Sequence, residues 1–114
     1  LHLCDRRQRQ MCIRDRFINH TAGGYLFYKT PEYHRISRFR GNGVPMDRPG
    51  FYVYIRDNEK KDYHSISWQP VAKDLSKAKY RCRHGLSYTV YESEYDGLAS
   101  SQTMVIPRGE NVLL

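Results

Sequence analysis

No apolar run in these 114 residues approaches the roughly 18 needed to cross a bilayer as a helix. The opening residues are charged and do not form a basic cap followed by an apolar stretch, so neither a membrane nor a secretion signal is read there. Cysteine is scarce as well. Cys4, Cys12 and Cys82 are odd in number, and the C-x7-C spacing of the first two is not a metal spacing. A disulfide framework is therefore not expected, and a reduced, cytoplasmic setting is. No phosphate cradle is present either: Gly23-Gly24 is followed by no Gly-Lys-Ser/Thr and opens no helix. Asn19-His20-Thr21 spells a glycosylation sequon, read as chance in the absence of a signal peptide. Tryptophan occurs once against ten tyrosines, a balance that suits half-buried pleated surfaces better than helices. The length fits one domain, able to bury roughly 65% of its unfolded surface.

The net charge of +7 invites a nucleic-acid reading, but its distribution weakens that. Residues 1–16, LHLCDRRQRQMCIRDR, hold five Arg against two Asp and so carry +3 of the total. An Arg-rich arm that folds on nucleic acid and a solvated leader are two readings of this stretch. The third, which is preferred, is that it is not native: it resembles the "MCIRDR"-type peptides produced when sequencing-adapter DNA is translated. Arg6, Arg7, Arg9, Arg14 and Arg16 are accordingly given no function, and the domain is taken to occupy residues 17–114.

From Phe17 onward, short β-rich segments alternate with turn residues. GYLFYK (24–29), HRISRFR (34–40) and FYVYIRD (51–57) are rich in aromatic and branched side chains and are bounded by Gly, Pro and Asn. DNEKKD (57–62) reads as a charged hairpin loop with a return strand over 62–67, and 74–78 as the one helical turn. In 86–95, Leu86, Tyr88 and Val90 fall on one face, and Ser87, Thr89, Tyr91 and Ser93 on the other. That is the period of a sheet with one covered side. Asp96-Gly97 supplies a two-residue turn, and 98–106 runs back beside the strand. Strands recurring without intervening helices predict an all-β fold, an antiparallel β-sandwich.

Five collinear blocks, "AGGYLFYK", "RISRFRGNGVPMDRPGFYVYIRD", "DYHSISWQPV", "YRCRHGLSYTVYESEYDG" and "IPRGENVLL", carry a resemblance over residues 17–114. The chain resembles glycoside hydrolase family 94, the inverting disaccharide phosphorylases typified by cellobiose and chitobiose phosphorylases. The resemblance implies a truncated amino-terminal supersandwich domain, of the galactose-mutarotase-like type, followed in the parent protein by helical linkers and an (α/α)6 barrel. The sequence departs from the family pattern at His64-Ser65-Ile66, where W-S-P is frequent, and at Gly41-Asn42-Gly43. The resemblance further implies phosphorolysis of a β-linked disaccharide: an Asp protonates the glycosidic oxygen while inorganic phosphate attacks the anomeric carbon from the opposite face. It assigns both the Asp and the phosphate site to the barrel, outside this chain. A homodimer, no cofactor beyond phosphate as co-substrate, and no nucleic-acid or membrane partner are implied too.

The residues themselves offer few sites. Cys82-Arg83-His84 is read as structural, since a thiol nucleophile needs a base in reach and a third orienting group. Zinc ligation there lacks a second clustered pair. Trp68 presents an aromatic face that matches the C–H face of a pyranose, or else fills the core. Arg38, Arg40 and Asn42 have the donors to hold sugar hydroxyls or to form salt bridges at an interdomain face. The candidate substrate-binding set is thus Arg38, Arg40, Asn42, Trp68, Arg83 and His84, with no catalytic residue and no metal ligand. The function expected is the carbohydrate-binding and structural part of a phosphorylase. The alternatives are a stand-alone carbohydrate-binding β-sandwich and, more distantly, a small basic nucleic-acid binder.

Overall fold

A computed structural model describes residues 14–30, 32–37, 49–108, 110 and 112–114, with side chains from Ile18 onward. The described chain contains seven strands and no helix: β1 (Arg14–Ile18), β2 (Gly24–Tyr28), β3 (Tyr54–Asp57), β4 (Asp62–Ser65), β5 (Ala78–His84), β6 (Tyr88–Tyr95) and β7 (Leu98–Val105). All pairings between them are antiparallel, in the orders β1-β2, β3-β4 and β5-β6-β7. The fold is an all-β sandwich. Its first strand begins before residue 17, inside the Arg-rich stretch.

Each hairpin is shaped by the residues at its turn. Between β1 and β2, Asn19 Oδ1 accepts from the Thr21 and Gly23 amides, both at 2.9 Å, and from the Thr21 hydroxyl at 2.8 Å. An Asx side chain that mimics a backbone turn in this way lets Ala22 sit at φ 62° in the core. Between β3 and β4, Asp57 Oδ1 accepts from the Glu59 and Lys60 amides at 2.9 and 3.2 Å. At the third hairpin, Asp96 and Gly97 both take positive φ, 52° and 76°, the pair of left-handed conformations that a two-residue turn between twisted strands requires.

The core is small and joins all three sheets. Ala22, Ile66, Tyr91 and Met104 form its centre, with Ile18, Phe51, Tyr52, Ile55, Cys82 and Leu113 packed around it. The covered side of β6 is therefore that of Thr89, Tyr91 and Ser93; of the apolar-looking alternate positions, Val90 is half-buried and Tyr88 and Leu86 are exposed, Leu86 at 90%. Neighbouring strands decide the matter. Cys82, opposite Tyr91, and Met104, opposite Thr89, extend the inner face, whereas Lys79, Arg81, Arg83, Glu92 and Glu94 hold the other in water.

Three segments depart from the sequence expectation. Phe51 is not yet in a strand, because its amide donates to Ala22 O at 2.9 Å, and regular pairing begins at Tyr54. The return strand stops at Ser65, where Ser65 Oγ donates to Ser67 O at 2.6 Å and Ser67 Oγ to Gln69 O at 2.7 Å. Residues 34–37 run beside β2 through Tyr28 N–H to His34 O and Ile36 N–H to Leu26 O, both 2.8 Å, with one bridge at Phe27 and Arg35 but no regular strand. Positions 38–40 of that predicted segment lie outside the described residues. At 74–78 the single turn is present, closed by Ala78 N–H to Asp74 O at 3.0 Å, and does not continue into a helix.

Beyond β7 the chain doubles back. Val105 and Leu114 exchange both main-chain hydrogen bonds, at 3.0 and 2.9 Å.

Candidate functional site

Alternation along β5 separates the Cys-Arg-His cluster. Cys82 and His84 share the inner face, with Cys82 Sγ 3.4 Å from His84 Nε2 and His84 Nδ1 3.0 Å from Thr89 Oγ1. Arg83 points the other way and donates to Glu92 Oε1 at 2.7 Å. Burial pushes the Cys82 thiol above its ordinary value, opposite to what a thiolate nucleophile needs. The trio of Cys, imidazole and hydroxyl thus has the order of a catalytic relay but holds its sulfur as the thiol. Among the described residues, no three His, Cys, Asp or Glu side chains gather as a metal would require.

Trp68 lies in the loop after β4, 37% exposed, and its indole N–H reaches Lys73 O at 3.4 Å. Its polar edge is thus turned to the backbone while part of the ring remains exposed. Arg38, Arg40 and Asn42 lie outside the described residues.

The densest polar cluster is one that sequence reasoning missed. Lys73 Nζ donates to Asp62 Oδ1 at 2.6 Å, the Tyr95 hydroxyl donates to Asp62 Oδ2 at 2.7 Å, and Lys73 also lies 5.1 Å from the Tyr95 ring centroid. His64 packs its ring 5.1 Å from that of Tyr95 and is only 5% exposed. These two hydrogen bonds hold the Asp62 carboxyl well below its usual range, and the bond to Asp62 raises both Lys73 and Tyr95. Burial lowers His64, partly offset by the Asp62 charge. No spacing signal announces the cluster, since its members come from β4, an irregular loop and the end of β6.

What these groups can do chemically is narrow. Inverting cleavage of a glycoside requires a carboxylic acid whose pKa is raised, so that it holds a proton to give. The resolved carboxyl shifts, at Asp62 and Asp74, are both downward. The outer face of β5 and β6 carries a shallow depression of about 410 Å³, but Lys79 lies 3.9 Å from Glu94 and Arg83 2.7 Å from Glu92, so acids and bases there face each other.

The described residues thus define a β-sandwich in which Asp62 and Asp74 are held as carboxylates rather than as proton donors. The family description "Glycosyl hydrolase 94, supersandwich domain" matches residues 15–114, and the chain belongs to that family. It is 53% identical over 94 residues to an N,N'-diacetylchitobiose phosphorylase of Vibrio proteolyticus and 51% identical over 94 residues to one of Vibrio furnissii, in both cases over 82% of this chain. A solabiose phosphorylase of Paenibacillus borealis is 34% identical over 97 residues, 78% of this chain. The chain spans 12% of the length of each of these relatives.

Proposed function

We propose that this chain is part of the amino-terminal domain of an inverting disaccharide phosphorylase, acting in the cytoplasm as a homodimer, and that it supports and borders a sugar site whose catalytic groups lie elsewhere in the polypeptide. Inorganic phosphate is the co-substrate, attacking the anomeric carbon while an acid of the barrel protonates the leaving oxygen. The substrate is a β-linked disaccharide of N-acetylglucosamine. One observation carries the reading: identity of 53% to a diacetylchitobiose phosphorylase over 82% of the chain, against 34% to a solabiose phosphorylase. The downward shifts at Asp62 and Asp74 support the division of labour, because a carboxylate held in this way is a poor proton donor to a leaving oxygen.

The test is to express the whole reading frame and the 114-residue chain separately and to assay phosphate-dependent cleavage of N,N'-diacetylchitobiose. The whole protein is expected to release N-acetyl-α-glucosamine 1-phosphate, with inverted configuration, and the short chain none. Turnover by the short chain, or cleavage by the whole protein that ignores phosphate, would sink the reading. The exposed faces of Trp68, Tyr54 and Tyr63 favour a second one, a carbohydrate-binding sandwich without catalysis. Retention of the short chain on immobilised chitin oligosaccharides, lost with Trp68→Ala, would favour it.

A further inference from the structure

Strand β7 has β6 on one flank, and among the described residues only Leu114 on the other. Two contacts fix which backbone groups face outward. Ile106 N–H donates to Ser87 O at 3.0 Å and so points to the β6 side, whereas Val105 turns both its main-chain groups to Leu114. Antiparallel strands alternate in this respect. The N–H and C=O groups of Ala99, Ser101 and Thr103 therefore point outward in the same row as those of Val105. Pairing of β6 with β7 is unbroken from Tyr88↔Val105 to Tyr95↔Leu98, so no bulge disturbs the row.

Edges left open in water are ordinarily guarded by Lys, Pro, bulges or inward charges. None of these stands on β7, where the exposed Ala99, Ser101 and Thr103 are small and uncharged. The opposite edge of the sheet, β5, carries Lys79, Arg81 and Arg83. Beside the open edge, Gln102 donates its amide to Phe51 O at 3.3 Å, but its Oε1 is buried with no partner among the described residues. A buried acceptor left unpaired costs free energy that a neighbouring strand would recover.

We propose that the outer edge of β7 takes one further antiparallel strand, supplied by the polypeptide that follows Leu114 in the whole protein, in the register that sets Leu114 against Val105. The second residue after Leu114 then faces Thr103, the fourth faces Ser101 and the sixth faces Ala99. The first and third fall on the same face as Leu113, which packs on the core. There they meet Met104 and Gln102, and the position against Gln102 carries a hydrogen-bond donor for Oε1. Only the identity of the occupant rests on the reading of the chain as part of a longer phosphorylase.

Amide hydrogen exchange on both the 114-residue chain and the whole polypeptide tests this. In the short chain the Ala99, Ser101 and Thr103 amides exchange fast while those of Ser100 and Gln102 are protected; in the whole protein all three slow by at least about tenfold. Fast exchange of the three in the whole protein overturns the proposal. So does protection in the short chain that grows with its concentration, which would make a second copy the occupant. Thr103→Pro gives an independent reading, because it deletes an outward N–H. It is expected to leave the Tm of the short chain within about 2 °C and to lower that of the whole protein by more than about 5 °C, whereas equal effects in both overturn the proposal. A whole protein with protected edge amides but no phosphorolysis would sink the proposed function and leave the added strand standing.

Discussion

The Tyr95 hydroxyl, at the end of β6, donates to Asp62 Oδ2 at 2.7 Å from 33 positions away, tying the β3-β4 hairpin to the three-stranded sheet. The tips of the same two hairpins meet again where Lys60 pairs with Asp96. Both links join the ends of hairpins whose own shape is local, and they add to the apolar packing of Ile66 on Tyr91 and Met104 in setting how the hairpins lie.

Asp62→Asn is expected to remove an acid-sensitive part of that tie. Its folded pKa lies below the unfolded value of about 3.9, so the stabilisation is present above about pH 4 and is lost as pH falls through the folded pKa. The Tm difference between wild type and Asp62→Asn should therefore be largest at neutral pH and shrink below pH 4. A difference that stays constant down to pH 2.5 would remove Asp62 from this role.

At the top of the range the signs reverse. Lys73 and Tyr95 both have folded pKa values raised by Asp62, so their contributions are present below about pH 10 and are lost as pH climbs beyond it. Thermal melts from pH 8 to 11.5 should show an alkaline decline that is weaker in Tyr95→Phe than in wild type.

Tyr91 combines 1% exposure with a hydroxyl donating to Asn19 O at 2.6 Å. Tyr91→Phe is expected to cost about 1–2 kcal/mol through the lost hydrogen bond, and Tyr91→Ala about 3–5 kcal/mol through the cavity. Urea unfolding of the two variants separates the contributions.

Cys82 should behave as a sluggish thiol. Burial raises its pKa, so less of it is thiolate at neutral pH than in an exposed cysteine. Alkylation followed peptide by peptide should give a pH–rate midpoint above 8.5, and His84→Ala should not slow it. A midpoint below 7 would revive the relay of Cys82, His84 and Thr89.

Two glycines should respond differently to alanine. A Cβ on Gly50 would stand 2.4 Å from Ala22 O and 2.6 Å from the Tyr52 ring, at the bridge between Gly23 and Gly50. Backbone must move there, and a cost of about 3 kcal/mol is expected. Gly97 has nothing within 4 Å of its Cβ but holds φ at 76°, so Gly97→Ala should cost only about 1–2 kcal/mol. Equal losses in the two unfolding curves would contradict the geometry.

Much of the fold was legible because hairpin signals are local. Asp96-Gly97 and DNEKKD announced their turns, and alternation around Tyr91 announced a one-sided sheet. Which side was covered was not legible: period-2 alternation states that two faces differ, whereas burial follows from Cys82 and Met104, supplied by other strands. The start of β3 shared this problem in milder form, since the amide of Phe51 is claimed by Ala22, a residue 29 places earlier. The candidate site was less legible still. Cys82 and His84 were brought together as their spacing on a strand implies, but the Asp62, Lys73 and Tyr95 cluster has no periodic trace.

The loop from Ile66 to Lys77 runs between two elements already fastened to each other by Asp62 with Tyr95, Lys60 with Asp96, and the packing of Ala22 and Ile66 on Tyr91 and Met104. Leu75, well exposed in that loop, offers a protease a place to cut. A single cut there would not separate the halves: the two pieces would co-elute as one particle and part only in denaturant. The same fastening would let residues 1–75 and 76–114, made as separate chains, reassemble on mixing.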